Sequence, residues 1–94
     1  MGYTMTVTTP LSLADAEARV RETLQAEGFG ILSEIDVQAK LQDKLGEDVG
    51  GYKILGACNP PLARQAIGVD GDVGALLPCN VLLRDADGGG TDIV

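Results

Sequence analysis

Ninety-four residues suffice for one two-layer core, near the size at which buried apolar area only just offsets chain entropy. Hydrophobic residues are 45% of the chain and charged residues 22%, the composition of a folding rather than a disordered chain. A net charge of −7, with the basic residues scattered, opposes nucleic acid and anionic membrane surfaces; the absence of histidine removes the commonest general base and every imidazole-based triad.

Tyr3 to Thr8 alternates polar and apolar residues and reads as a first strand, ended by Thr9-Pro10. Ser12 has the spacing of an N-cap, with Asp15 in the first turn, so a helix is expected from Leu13 to Glu27. Leu13, Ala16, Val20 and Leu24 form its buried stripe; Glu17, Arg21 and Glu22 fall on the wet side, and Gly28 ends it. Phe29 to Ile35 is a second strand. Asp36 caps a short helix whose Val37, Leu41 and Leu45 repeat at four-residue intervals before Gly46 stops it.

Tyr52 to Cys58 is a strand with Tyr52, Ile54, Gly56 and Cys58 on one face, where Gly56 permits close approach from a neighbour. Asn59-Pro60 has the order of an N-cap followed by proline at the first helical position, starting a helix that runs to about Ile67. Val69 to Leu77 suits a turn with a further helical turn, stopped by Pro78. Cys79 to Ala86 is a strand, and Thr91 to Val94 is its hairpin partner across Asp87-Gly88-Gly89-Gly90. No repeat or linker divides these elements, so residues 1–94 are expected to form a single α+β domain, a two-layer fold with a mainly antiparallel sheet covered by helices.

The chain's two cysteines sit in near-mirrored clusters, Cys58-Asn59-Pro60 and Pro78-Cys79-Asn80, each where a strand meets a turn or helix. That placement makes Cys58, Asn59, Cys79 and Asn80 the candidate ligand-binding residues. Cys58 precedes a helix N-terminus, an environment that favours thiolate, and two thiols on one pocket can form a reversible disulfide, grip a soft metal or hold a cofactor. The competing reading is that free cysteines pack as small hydrophobes and that Asn59 and Asn80 serve a cap and a turn. Twenty residues separate the cysteines, which is not the spacing of a C-x-x-C redox or zinc motif. Asp70 and Asp72, and Asp85 and Asp87, alternate like calcium ligands but lack the rest of that loop and read as solvated turns. Lys53 and Arg64 are the cations nearest the cysteines in sequence; a strand lysine is ordinarily solvated or guards an edge.

Glu27-Gly28-Phe29-Gly30, Lys40-Leu41 with Lys44-Leu45-Gly46, Tyr52-Lys53-Ile54-Leu55-Gly56-Ala57-Cys58-Asn59-Pro60, and Leu76-Leu77-Pro78-Cys79-Asn80-Val81 together closely resemble the bacterial and archaeal family catalogued as domain of unknown function 302. The resemblance spans nearly the whole chain. It implies a compact α+β domain, commonly dimeric, of unsettled biochemical role. Family members usually continue past the position of Val94 through a proline-containing turn into a final helix, which this sequence lacks, so apolar surface that helix would shield is expected to be exposed, repacked or covered by a second subunit, with a homo-oligomer as the default.

The expectation is therefore a small homo-oligomeric binding module, a dimer by preference, whose Cys58/Cys79 pocket takes a small molecule, a soft metal ion or a cofactor of unassigned identity without catalysing a reaction. Two alternatives stay open: a thiol-dependent redox enzyme or sensor, and a structural partner-binding domain in which both cysteines only pack. The N-terminus lacks a basic segment ahead of an apolar stretch, and no run is long enough to cross a bilayer, so the chain reads as cytoplasmic, with reduced thiols and neither a nucleic-acid nor a membrane partner.

Overall fold

The computed structural model describes residues 4–94. Strand β1 spans Val7–Thr9, helix α1 Leu13–Ala26, β2 Gly30–Asp36, α2 Val37–Leu45, β3 Tyr52–Cys58 and α3 Pro60–Val69. A 3₁₀ turn at Gly71–Leu76 leads to β4, Cys79–Asp85, and β5, Thr91–Ile93. The strands form one sheet in the order β1-β5-β4-β3-β2, every neighbouring pair antiparallel. The α+β class read from the sequence is the observed one.

Local chemistry sets the helix starts. The Ser12 side chain accepts from the Asp15 amide at 3.2 Å, Asp36 from Ala39 at 3.0 Å and Asn59 from Leu62 at 3.2 Å, so three helices each have one orphan donor satisfied by a side chain one residue ahead of them. Gly46 ends α2 at φ 67°, a left-handed backbone angle that glycine adopts without steric cost, and its amide closes on Gln42 O. The first strand is shorter than its alternation suggested. Its partner β5 is only three residues long, so the ladder reaches no further back than Val7; Tyr3 lies outside the described residues. At the other end α3 continues two residues past Ile67, because Gly68 is accommodated and Asp70 N still donates to Ala66 O. Likewise β4 stops at Asp85, since Ala86 N turns to Gly90 O and closes the hairpin.

Sheet register decides what α1 covers. Lys53, Leu55 and Ala57 of β3 stand opposite Leu83, Val81 and Cys79 of β4, and Leu83 stands opposite Ile93 of β5. Directly paired residues share a face, and Lys53 meets Glu17 of α1, so this is the face α1 packs on. Ala16, Leu55, Ala57, Cys58 and Leu83 are buried there and at the end of β3. Thr91 is buried as well, its hydroxyl donating to Leu11 O at 2.9 Å and tying β5 to the segment before α1. Of the α2 stripe, Val37 and Leu41 are half-buried and Leu45 is exposed.

Glu17 departs from its expected position on the wet side of α1. Its carboxylate is 2.8 Å from both Lys53 Nζ and Arg21 Nε, while Glu34 of β2 reaches Lys53 Nζ at 2.8 Å and Arg21. Burial pushes the Glu17 carboxyl upward, but the hydrogen bonds from Lys53 and Arg21 outweigh it and hold the group below its ordinary value. The Glu17 and Glu34 carboxylates raise Lys53 in turn, and Lys53 is the main cause of the lowered Glu34. Lys53 is thus neither an edge guard nor a cation for the thiols; it clamps α1 to the sheet.

Candidate functional site

The two cysteine clusters meet through the end of the β3–β4 ladder. Cys79 stands opposite Ala57, one residue short of Cys58, so the two thiols leave neighbouring strands at the same end of the sheet. Both line a cavity of about 260 Å³ together with Phe29, Asn59, Leu62, Ala63, Ala66 and Leu77. Cys58 is only 8% exposed at its floor, Cys79 is exposed at its edge, and neither sulfur is bonded to another.

Each wall has a sequence cause. Cys58 ends β3 and Asn59 caps α3, so the strand-to-helix turn pins the thiol beside the first turn of that helix. Leu62, Ala63 and Ala66 recur at helical spacing and line the cavity, Leu62 from an exposed position at its edge; two of the three are alanines, which leaves the space open. Phe29 follows the stop of α1, where its amide donates to Leu24 O at 2.8 Å and turns the ring toward α3. Pro78, preceded by a cis peptide bond, packs against Gly56 of β3. A Cβ at Gly56 would lie 2.6 Å from the Pro78 ring and overlap Ser33 Oγ, so glycine there is what lets Pro78 lie flat on the strand and Cys79 begin β4 beside Cys58.

Of the four candidate residues, the cavity gathers Cys58, Asn59 and Cys79. Asn59 already has its Oδ1 committed to the Leu62 amide, leaving its amide nitrogen, which lies toward Gly28, free to donate. Asn80 is exposed and stands opposite Gly56, outside the cavity lining. Arg64 is exposed on α3 and outside the lining as well. The residues that sequence reasoning missed are apolar: Phe29, Leu62, Ala63, Ala66 and Leu77. The signal available for them was the spacing of Leu62, Ala63 and Ala66 in a helix that starts directly after Cys58.

Other acidic groups serve the backbone. Asp70 accepts from the Asp72 amide at 2.9 Å, Asp85 from Gly51 at 2.7 Å and Asp48 from Gly50 at 2.8 Å, the last lowering the Asp48 carboxyl with help from Gln38. Among the described residues no three histidine, cysteine or carboxylate side chains group as metal ligands, so a metal at the cavity would have two thiols and no third side-chain donor of those types. Among the same residues no helix is long and apolar enough to cross a membrane.

The fold and the paired-thiol cavity define a small α+β domain with one antiparallel sheet. A family model described as "Domain of unknown function DUF302" matches residues 4–94, and the chain belongs to that family. The crystal structure of an uncharacterized conserved DUF302 protein from Bacillus stearothermophilus is similar over 95% of this chain and 69% of that one, at 32% identity and a TM-score of 0.87. No curated protein matches.

Proposed function

We propose that this chain is a cytoplasmic, homo-oligomeric binding module whose cavity between β3, β4 and α3 holds a small apolar ligand against the Cys58 and Cys79 thiols. One observation carries the reading: both cysteines line a single cavity whose remaining walls are almost wholly hydrocarbon. At about 260 Å³ the cavity lies just below the range typical of drug-sized ligands, roughly 300 to 1,000 Å³, so the ligand has few heavy atoms. Apolar walls supply its binding energy, Asn59 supplies one orienting donor, and the thiols suit a soft centre such as a monovalent copper or a thiophilic carbon. No general base adjoins either thiol in the lining, which favours binding over catalysis. Exposed Met5, Val7, Leu32 and Val69 support self-association, and two free cysteines are consistent with a compartment that keeps thiols reduced.

A redox reading draws on the same juxtaposition. Two thiols on one cavity can pass two electrons and two protons to a peroxide or disulfide acceptor and close on each other. Native mass spectrometry of the unreduced protein separates the cases. A non-protein mass that disappears when Cys58 or Cys79 becomes alanine supports the binding module. A bare chain two hydrogens light supports the redox reading, and a bare, reduced chain refutes both and leaves the cysteines as packing residues.

A further inference from the structure

A helix that starts at the wall of a cavity ordinarily offers free amides to an anion. The first turn of α3 offers none to the cysteine cavity. Pro60 and Pro61, its first two residues, have no N–H. The Leu62 amide donates to Asn59 Oδ1 at 3.2 Å and the Ala63 amide to Asn59 O at 2.9 Å, so the first four residues of the helix have no amide to spare. The expectation that this N-terminus favours a thiolate at Cys58 therefore has no free donor behind it.

None of the residues lining the cavity is acidic or basic. Arg64 lies outside the lining, and Lys53 is bound to Glu17 and Glu34. An ion of either sign entering this site would lose its hydration against hydrocarbon with nothing to replace it. A chain of net charge −7 repels anions further. A metal ion held by both thiols would displace their two protons and, if monovalent, leave a negative charge within the same walls. The occupant that these walls suit is uncharged.

What the cavity concentrates is polarizable surface. Phe29, the chain's only phenylalanine, and both of its cysteines converge on it. Aromatic rings pack offset or edge-to-face against one another, and sulfur makes favourable contacts at ring edges. The volume agrees with a ring. An apolar cavity of about 150 Å³ holds benzene, so the one of about 260 Å³ here takes a single ring with a substituent of roughly three heavy atoms. One side-chain N–H donor stands in the lining. Asn59 Oδ1 is committed to the Leu62 amide, which leaves Asn59 Nδ2 to donate to an acceptor on the occupant.

We infer that the cysteine cavity takes an uncharged, single-ring aromatic compound bearing one hydrogen-bond acceptor, its ring against Phe29 and the Cys58 sulfur and its acceptor, a carbonyl or ether oxygen, on Asn59 Nδ2. The inference rests on the binding reading above and narrows it: of the occupants open to two thiols, it selects an organic molecule held without a covalent bond over a metal ion.

The test is titration of the reduced, isotope-labelled 94-residue chain by NMR, read at the backbone amides around the cavity and at the Asn59 side-chain amide. Acetophenone is the probe and should shift the Asn59 side-chain amide and the Leu62 amide saturably. Benzoate and protonated benzylamine, similar in size but charged, should bind at least about tenfold more weakly. Cyclohexyl methyl ketone, which keeps the acceptor but has no ring face, should bind about two- to tenfold more weakly, the worth of one aromatic contact. Asn59→Asp keeps an oxygen to cap Leu62, so the melting temperature should hold. It loses the donor, so acetophenone should weaken about two- to tenfold, the worth of one hydrogen bond, while isopropylbenzene, which has no acceptor, should change less than about twofold. Ala66→Leu, filling the cavity from a half-buried helical position, should abolish binding of both. Benzoate or the cyclohexyl ketone binding as tightly as acetophenone would overturn the inference. Stoichiometric uptake of monovalent copper by the two thiols, with no response to any aromatic, would overturn it while leaving the binding reading standing; a chain that takes up neither would sink both.

Discussion

Substituting Gly56 by alanine tests the local argument for how the two cysteines come together. Gly56 is buried in the middle of β3, and its backbone lies in the ordinary extended region, so alanine costs nothing in φ. The cost is contact. The added methyl would sit 2.6 Å from Pro78 Cγ and 3.3 Å from Pro78 Cβ on one side and overlap Ser33 Oγ on another, all closer than ordinary van der Waals contact. Ser33 can rotate its hydroxyl, but the Pro78 ring is fixed by its own backbone, so the start of β4 has to move. Overpacking of this kind costs about 1 to 3 kcal/mol. For a domain of this size that lowers the melting temperature by roughly 4 to 8 °C per kcal/mol. Ser33→Ala with Gly56→Ala should recover only the smaller part, and Gly71→Ala, where nothing lies within 4 Å, should stay within about 0.5 kcal/mol of wild type. Chemical denaturation measures all three. Labelling of the Cys58 thiol by a maleimide should quicken in Gly56→Ala, since displacing Pro78 opens the cavity wall. If Gly56→Ala matched Gly71→Ala in stability and left Cys58 labelling unchanged, the packing of Pro78 on Gly56 would not be what forms the site.

The ion cluster on α1 predicts an acid limb. Glu17 and Glu34 titrate below their ordinary value in the folded chain, so on acidification the unfolded state takes up protons first. Their stabilisation is complete above the ordinary value of 4.5 and is lost as the pH falls below it; urea unfolding of Lys53→Met across that range should show a flatter decline than wild type. Raised Lys53 has the opposite sign: its contribution is complete below the ordinary 10.5 and disappears as the pH rises through its higher folded value. Replacing Asp36 with alanine removes the acceptor for the Ala39 amide and should cost about 0.5 to 2 kcal/mol in the same assay, with Asp36→Asn close to neutral. Leu55→Ala, at a fully buried position of β3, should cost about 2 to 5 kcal/mol by thermal unfolding.

The features that were legible in the sequence are those fixed within a few residues. The caps at Ser12, Asp36 and Asn59 act on amides three positions away, so their spacing alone placed the starts of α1, α2 and α3. The bounds of β3 were legible for a similar reason, being set by Gly51 before it and Asn59-Pro60 after it. Strand order and register were not, because pairing across β4 and β5 is settled by partners distant in the chain. Two positions show this. Glu17 follows its helical period to a position that looks wet until Lys53, thirty-six residues on, arrives beneath it. Asn80 neighbours Cys79 in sequence, yet it lies outside the cavity that Cys79 and Cys58 line, a grouping that depends on where α3 and Phe29 pack. The Cys58-Asn59 block, by contrast, keeps its neighbours in the fold, because a strand ending at a helix cap gives consecutive residues one location.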